Sequence, residues 1–407
     1  MNSREFQYHL PEAAIAKYPI SPRRAARLAV VHPEKGVMHE TFEDLPSHLG
    51  DARVDGLWAN DTQVLHARVF ATKSTGGQLE IFLLSPADQT VEEALSSTDS
   101  LAWKAMVRNS KRWSGDVARA SGLRHDLVIT REEDATDGNL VVRLSWNSQD
   151  GGSTFADVLN DLGKTPLPPY MRRPAESQDR EDYQTVFAMT PGSVAAPTAG
   201  LHYDDTLLEH LASKGLPLHR LTLHVGAGTF KPLSEGAVMA HNMHAEQCVL
   251  TKSALQAMVG QRRRVATGTT TLRTMESLYW WALHWRVNGV WLHILPQRSP
   301  YDELAQHAET LEWTDLQALR AILDHGPWND SDVLSFETQL MIVPGYQVRM
   351  VCGLVTNFHQ PGSTLLCLVG AILGQNTWKS LYQECLDKGY RFLSYGDGSL
   401  LWLCKDR

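Results

Sequence analysis

The stretch from Gly192 to Tyr203 constrains the fold more than any other part of the chain. It reads GSVAAPTAGLHY and shows neither the alternation of a strand nor apolar residues at helical spacing. Its small residues allow the backbone to approach a ligand closely, and a buried loop must hydrogen-bond its amides to something. His202 ends the loop just before a predicted helix near Thr206. Composition alone fits a ligand-binding loop and a tightly packed crossover equally well.

A second loop of the same kind follows soon after. Leu221 to Phe230 reads LTLHVGAGTF, which predicts a short strand running into a glycine-rich turn, with His224 where the strand should end. Ligands of open α/β sheets bind beyond the carboxyl ends of the strands. Two such loops, each with a histidine, favour a ligand site over packing.

Two strand-to-helix junctions add polar groups of the same type. Val265 to Gly268 predicts a strand and Thr269 to Leu283 a helix, whose free amides and threonine hydroxyls could hold an anion. The alternative is an ordinary capped helix with a surface ion pair between Arg273 and Glu276. A strand over Val351–Thr356 is followed by NFHQP and by a helix capped near residue 363.

Five motifs in fixed order resemble the S-adenosylmethionine:tRNA ribosyltransferase-isomerase family of queuosine biosynthesis. They are GSVAAPTAGLHY, LTLHVGAGTF, HNMHAE at 241–246, LVTNFHQPGSTLL at 354–366 and YRFLSYGDG at 390–398. Upstream, FQYHLPEAAIAKYP and PLPPYMRRP fit the same pattern, so the resemblance covers nearly the whole chain.

The resemblance implies an enzyme, a transferase and isomerase of tRNA modification. It would transfer and isomerise the ribosyl group of S-adenosylmethionine onto 7-aminomethyl-7-deazaguanine in tRNA, giving epoxyqueuosine-tRNA with release of adenine and methionine. S-adenosylmethionine is then a consumed substrate, and no bound prosthetic group, metal or membrane is expected. Two alternatives stay open: a paralogue acting on a different nucleoside or small molecule, and a non-catalytic tRNA-binding protein with the same fold.

This chemistry gives the histidines a role. The sulfonium acidifies the C5′ protons, so a weak base could remove one, and departing adenine needs a proton donor. The candidate catalytic residues are His202, His224 and His359, whose roles the sequence does not separate, with His241 and His244 ranked second. The expected substrate-binding residues are Asn60, Thr62, Arg68, Pro197, Thr198, Gly200, Gly226, Gly228, Thr229, Thr269, Thr270, Arg273 and Asn357.

Two residues depart from the family pattern. Gln63 stands where the family usually has Arg or Lys, and His66 stands where it has proline. A protonated His66 could supply part of the missing positive charge. The spacing of His241, His244 and Glu246 superficially resembles a set of metal ligands, but no further motif supports zinc.

Short β-rich runs separated by turns occupy residues 67–157, which predicts a small closed β-barrel. The resemblance implies that this barrel is inserted into a discontinuous α/β main domain with a mixed sheet, formed by residues 1–66 and 158–407. A loop over Asn109–Trp113 (NSKRW) offers an aromatic beside two cations, which could stack a base or could simply pack. Residues 280–340, acidic and Trp-rich, are interpreted as an elaboration of unknown role.

Charge and cysteine content constrain the possible partners and the cellular compartment. The net charge is −8, and residues 301–340 carry nine acids against one base, which accounts for the whole excess. The remainder is neutral with basic clusters, so a nucleic-acid surface is possible. Five scattered cysteines without a C-x-x-C pair and the lack of a long apolar run predict a cytoplasmic protein.

Overall fold

The computed structural model describes residues 1–108, 110–113, 117–134, 139–148, 151–226, 228 and 232–403. Its strands are β1 (Arg27–His32), β2 (Gly36–Thr41), β3 (Gly56–Asn60), β4 (Thr62–Val64), β5 (Arg68–Lys73), β6 (Gln78–Pro86), β7 (Leu101–Val107), β8 (Ala118–Ser121), β9 (His125–Asp134), β10 (Leu140–Ser148), β11 (Thr190–Ser193), β12 (Leu218–Leu223), β13 (Glu246–Thr251), β14 (Arg264–Thr267), β15 (Ile294–Leu295), β16 (Val333–Thr338), β17 (Gly353–Asn357) and β18 (Gly398–Trp402). Its helices are α1 (Leu45–Asp51), α2 (Val91–Ser96), α3 (Phe155–Leu162), α4 (Asp179–Asp182), α5 (Asp205–Ser213), α6 (Lys252–Val259), α7 (Thr269–Asn288), α8 (Glu303–Thr310), α9 (Asp315–His325), α10 (Thr364–Leu373) and α11 (Gln375–Asp387).

Within these ranges, ten strands form one mixed sheet in the order β15-β16-β13-β12-β3-β14-β17-β18-β1-β2. The central strands β12, β3, β14 and β17 run parallel to one another, and antiparallel pairs flank them on both sides. Strands β3, β14 and β17 are buried along their whole length, as parallel strands covered on both faces must be. The predicted mixed α/β sheet is confirmed.

The second sheet is a closed barrel in the order β10-β7-β6-β5-β8-β9. Its strands alternate: on β5, Val69 and Ala71 face the barrel core, whereas Arg68 and Phe70 face outward. The predicted small β-barrel is therefore confirmed, while its separation as a domain spanning 67–157 remains a prediction. Trp113 is fully buried in the barrel core, so the suggestion that it stacks a base is wrong.

Helix α7 organises the larger domain. Its residues from Leu272 to Leu283 are almost all buried, because the helix lies against the sheet on one side and under α8 and α9 on the other. The acidic, Trp-rich segment therefore belongs to the main domain: β15 and β16 extend its sheet, and Asp315 of α9 pairs with the buried Arg264.

A membrane-crossing helix would need a long apolar run, and none of the helices in the described ranges has one.

Candidate active site

The carboxyl ends of the four parallel strands meet at one edge of the sheet. There the loops after β14 and β17 and the 195–199 segment line an open cleft with about 730 Å³ of empty space. A second cavity of about 680 Å³ adjoins it. Thr269, Thr270 and Leu365 line both, so the two form one two-lobed depression around the start of α7.

A chain of three polar side chains forms the wall of the first lobe. Thr198 Oγ1 donates to Asn357 Oδ1 (2.8 Å), and Asn357 Nδ2 donates to His202 Nε2 (2.9 Å). Thr198 and Asn357 line the cleft, whereas His202 lies behind them, stacked on Phe42 with ring centroids 4.2 Å apart. Burial lowers the pKa of His202 to about 3, so its ring is neutral and fixes the orientation of the Asn357 amide.

His359 lines the first lobe itself. Its Nε2 lies 2.8 Å from Thr356 Oγ1, and its backbone carbonyl accepts a hydrogen bond from Tyr8 Oη (2.6 Å). Burial lowers the pKa of this imidazole to about 3, so the ring is neutral at pH 7. The imidazole therefore stands unprotonated at the cleft wall, with one ring nitrogen engaged by Thr356.

His224 is held differently. Its Nδ1 lies 3.0 Å from Thr62 Oγ1, and burial lowers its pKa to about 4. Asn60 is fully buried and holds Leu223 at the end of β12, through its Nδ2 to the Leu223 carbonyl (2.8 Å) and its Oδ1 to the Leu223 amide (3.0 Å). In this arrangement Asn60, Thr62 and His224 fasten the strand end that carries Val225 into the first lobe.

The first turn of α7 presents unused hydrogen-bond donors to both lobes. Gly268 precedes it with φ +93°, which suits glycine, and the first amides of a helix have no intrahelical acceptor. Thr271 Oγ1 donates to the Thr267 carbonyl (2.6 Å). By contrast, Thr270 Oγ1 is buried without a hydrogen-bond partner among the described residues.

Arg273 lines the second lobe one turn further along α7. It pairs with Glu246 and donates to the Thr338 carbonyl (2.9 Å), while its Nε is buried without a partner in the described ranges. Glu276 does not pair with it: this carboxylate is fully buried and accepts hydrogen bonds from Tyr346 and two backbone amides. The alternative of a surface ion pair between Arg273 and Glu276 is therefore wrong.

The remaining candidate substrate-binding residues fall into several places. Pro197 lines the first lobe and Gly228 the second. Gly200 packs against Phe187, which a side-chain Cβ would meet at 2.6 Å, and the Gly226 amide donates to Glu246 (3.0 Å). Arg68 lies on the barrel, 3.1 Å from Glu80. Thr229 lies outside the described residues.

The two departures from the family pattern lie apart from the cleft lining. Gln63 sits on β4 opposite Pro191 of β11. Burial, together with the charges of Arg180 and Lys164, lowers the pKa of His66 to about 4. His66 is therefore neutral at pH 7, and the suggestion that it supplies a positive charge is wrong.

The structure also adds residues that the sequence pattern did not single out. Tyr170 and Ser394 line the first lobe and hydrogen-bond to each other. Both lie in quoted motifs, PLPPYMRRP and YRFLSYGDG, which was the available signal. His241, His244 and Glu246 line the second lobe, but no group of three His, Cys, Asp or Glu suited to a metal occurs in the part of the chain that the structure describes.

Comparison with known proteins gives one consistent result. The family described as queuosine biosynthesis protein matches residues 3–401. An S-adenosylmethionine:tRNA ribosyltransferase-isomerase of Pelobacter propionicus is 37% identical over 404 residues, covering 98% of this chain and 99% of the relative. Proteins of the same name from Anaeromyxobacter dehalogenans and Legionella pneumophila are 35% and 34% identical, over 98% of this chain and 99% and 100% of their own length.

A solved S-adenosylmethionine tRNA ribosyltransferase from Thermotoga maritima covers 97% of this chain and 99% of its own, with 24% identity and a TM-score of 0.44. The names of the curated relatives confirm the prediction of a transferase and isomerase enzyme. With a full-length family match and relatives at this identity, the chain belongs to the queuosine biosynthesis protein family.

Proposed function

We propose that this enzyme transfers and isomerises the ribosyl group of S-adenosylmethionine onto 7-aminomethyl-7-deazaguanine in tRNA. The product is epoxyqueuosine-tRNA, and adenine and methionine are released in the cytoplasm. The observation that carries the proposal is the two-lobed depression around the first turn of α7, with polar groups placed for an extended zwitterionic substrate. The names of the curated relatives support the same donor and the same class of acceptor.

The two lobes suit the two halves of S-adenosylmethionine. The second lobe has an apolar side at Leu340, Ile342 and Leu368, which fits a methionine side chain. The free amides at the start of α7, Thr270 Oγ1 and the nearby Arg273 suit its carboxylate in charge and geometry. The first lobe would then hold the ribose and adenine, with the sulfonium near the shared residues.

This placement gives each wall residue a task. His359, which lines the first lobe, removes the acidified C5′ proton. Asn357 and Thr198, held in orientation by His202, hydrogen-bond the sugar or the departing adenine. Over the whole transfer, the aminomethyl nitrogen forms the new bond to the ribosyl carbon skeleton and loses one proton. Adenine leaves with the electron pair of its glycosidic bond and takes up a proton in balance with the one removed from C5′, and methionine leaves with the electron pair of the sulfur–C5′ bond.

The decisive experiment measures adenine release from S-adenosylmethionine by chromatography. We expect release with tRNA that carries 7-aminomethyl-7-deazaguanine. Little release is expected with unmodified tRNA or when tRNA is left out. His359→Ala should lower the rate about 100-fold, the lower range for general-base catalysis, without abolishing S-adenosylmethionine binding. His307→Ala, an exposed histidine on α8, is the matched control and should leave the rate unchanged.

The other outcomes identify the alternatives. Equal adenine release without any tRNA would favour a paralogue that acts on a small molecule. No release with saturating substrates, even after Gln63→Arg restores the usual cation, would favour a non-catalytic tRNA-binding protein.

A further inference from the structure

The outer face of barrel strands β5, β6 and β7 exposes apolar side chains that a barrel wall does not need. Phe70 is 52% exposed and Met106 is 45% exposed, and Phe82 is partly exposed between them. A contiguous exposed apolar patch usually marks a binding site, and these three side chains lie on neighbouring strands of one face. The fully buried Trp113, by contrast, serves the barrel interior.

Strand register places cations among these side chains. Arg68 lies opposite Phe82, and Phe82 lies opposite Met106, so the three form one row across the face. Phe70 lies opposite Glu80 in the next row. We call Arg68, Phe70, Phe82, Met106 and Arg108 the barrel platform.

One acid balances part of this charge. Glu80 lies 3.1 Å from Arg68 and 3.5 Å from Arg108, so it sits between the two guanidinium groups and leaves the platform positive. Arg108 is 77% exposed in spite of this pair. Lys104, the next outward residue on β7 beyond Met106, adds a further positive charge at the edge.

The platform is joined to the active site by the segment that leads out of the barrel. Arg68 Nη2 donates to the Leu167 carbonyl (3.3 Å). Two residues later, Pro169 and Tyr170 begin to line a groove with about 1030 Å³ of empty space. Tyr170 also lines the first lobe of the cleft, as do Gln360 and Leu393 from the far side of the groove.

We propose that the barrel platform binds unpaired loop nucleotides of the RNA substrate while the modified base enters the cleft along this groove. Aromatic faces that stack bases, interleaved with cations that contact phosphates, are the means by which proteins hold single-stranded nucleic acid. The proposal rests on the proposed function, since it names the surface that holds the same tRNA. The platform carries more cations than acids. Charge complementarity therefore favours a negatively charged RNA over an uncharged apolar partner.

The test is direct binding of a stem-loop RNA with an unpaired loop, and of a blunt duplex of equal length, by fluorescence anisotropy. Phe70→Ala should weaken stem-loop binding about tenfold, as expected for the loss of one stacked base, and should change duplex binding much less. Arg108→Ala should weaken both and lower the slope of log affinity against log salt by about one. Both side chains point outward, so the variants should keep the wild-type melting temperature.

Control residues lie in another part of the same barrel. Leu123 and Arg124 are exposed in the turn between β8 and β9 and belong to none of the platform strands, so Leu123→Ala and Arg124→Ala remove one apolar and one cationic side chain elsewhere. Both should bind the stem-loop like the wild type. Calorimetric affinity for S-adenosylmethionine should be unchanged in all four variants.

The outcomes separate this inference from the proposed function. Normal stem-loop binding by Phe70→Ala and Arg108→Ala, with adenine release intact, overturns the platform and leaves the enzyme assignment standing. Loss of a wild-type dimer in Phe70→Ala, measured by sedimentation, would instead show that the face joins two copies of the chain. Failure of the wild type to bind tRNA or release adenine would contradict the proposed function itself.

Discussion

The first turn of α7 and the middle of the same helix differ in whether their buried polar side chains have hydrogen-bond partners. At the first turn, Thr270 borders both lobes of the cleft, and its Oγ1 is buried with no partner among the described residues. Two turns later, Glu276 is fully buried and accepts hydrogen bonds from Tyr346 Oη (2.6 Å) and from the amides of Arg349 (3.0 Å) and Met350 (2.7 Å).

The difference indicates which buried polar groups of α7 are available for binding and which are used in folding. An unsatisfied buried hydroxyl costs free energy, so it is tolerated where a ligand completes its hydrogen bonds. A buried carboxylate is tolerated only when its surroundings already satisfy it. The satisfied carboxylate in the middle of α7 therefore stabilises the domain, and the first turn of α7 is the part suited to a ligand.

Glu276→Ala gives the largest effect expected from this comparison. It leaves Tyr346 Oη and two backbone amides without their acceptor in a dry site, which should lower the free energy of unfolding by about 3 kcal/mol or more. Urea unfolding followed by circular dichroism measures the change. Thr270→Ala is the control, and its stability should change by less than about 1 kcal/mol.

If Glu276→Ala lowers the free energy of unfolding by less than about 1 kcal/mol, the first turn and the middle of α7 do not differ as described. Glu276→Gln keeps the shape and an acceptor oxygen, so it should recover much of the lost stability.

The sequence predicted the architecture and most loop positions because both follow from local patterns. Alternation on strands such as β5 and the glycine at position 268 are visible in single segments. The roles of individual side chains depend on distant partners. Nothing near His202 shows that Asn357, which is 155 residues away, separates it from the cleft. Nor does the spacing of Arg273 and Glu276 reveal that each has a different partner.

The second prediction uses the pH dependence of stability to examine the histidines in and behind the cleft wall. The pKa of His202 and of His359 is about 3 in the folded protein, against an ordinary value near 6.5. Between these values the unfolded chain binds more protons than the folded one, so stability falls as the pH is lowered below 6.5. Each histidine contributes a slope of about 1.4 kcal/mol per pH unit.

Urea midpoints at pH 7, 6 and 5 measure this slope. His202→Gln should lower it by about one histidine's share, and His210→Gln, on the exposed side of α5, should not change it. A wild-type slope that His202→Gln leaves intact would mean that this imidazole is protonated in the fold, contrary to its buried position.

Arg273→Ala is expected to weaken substrate binding by only a modest factor, but it sharpens the comparison most. Its guanidinium lies one turn into α7 and borders the second lobe, but it also pairs with Glu246. Under the proposed function, removal takes away one charge-assisted contact to the substrate carboxylate, so calorimetry should show S-adenosylmethionine binding about tenfold weaker.

Because Glu246 would then stand unpaired in a buried place, the double variant Arg273→Ala/Glu246→Gln separates the two effects. Its stability should return toward the wild type, while its weakened binding should persist. If binding returns together with stability, Arg273 only holds Glu246, and the carboxylate relies on the free amides at the start of α7 alone.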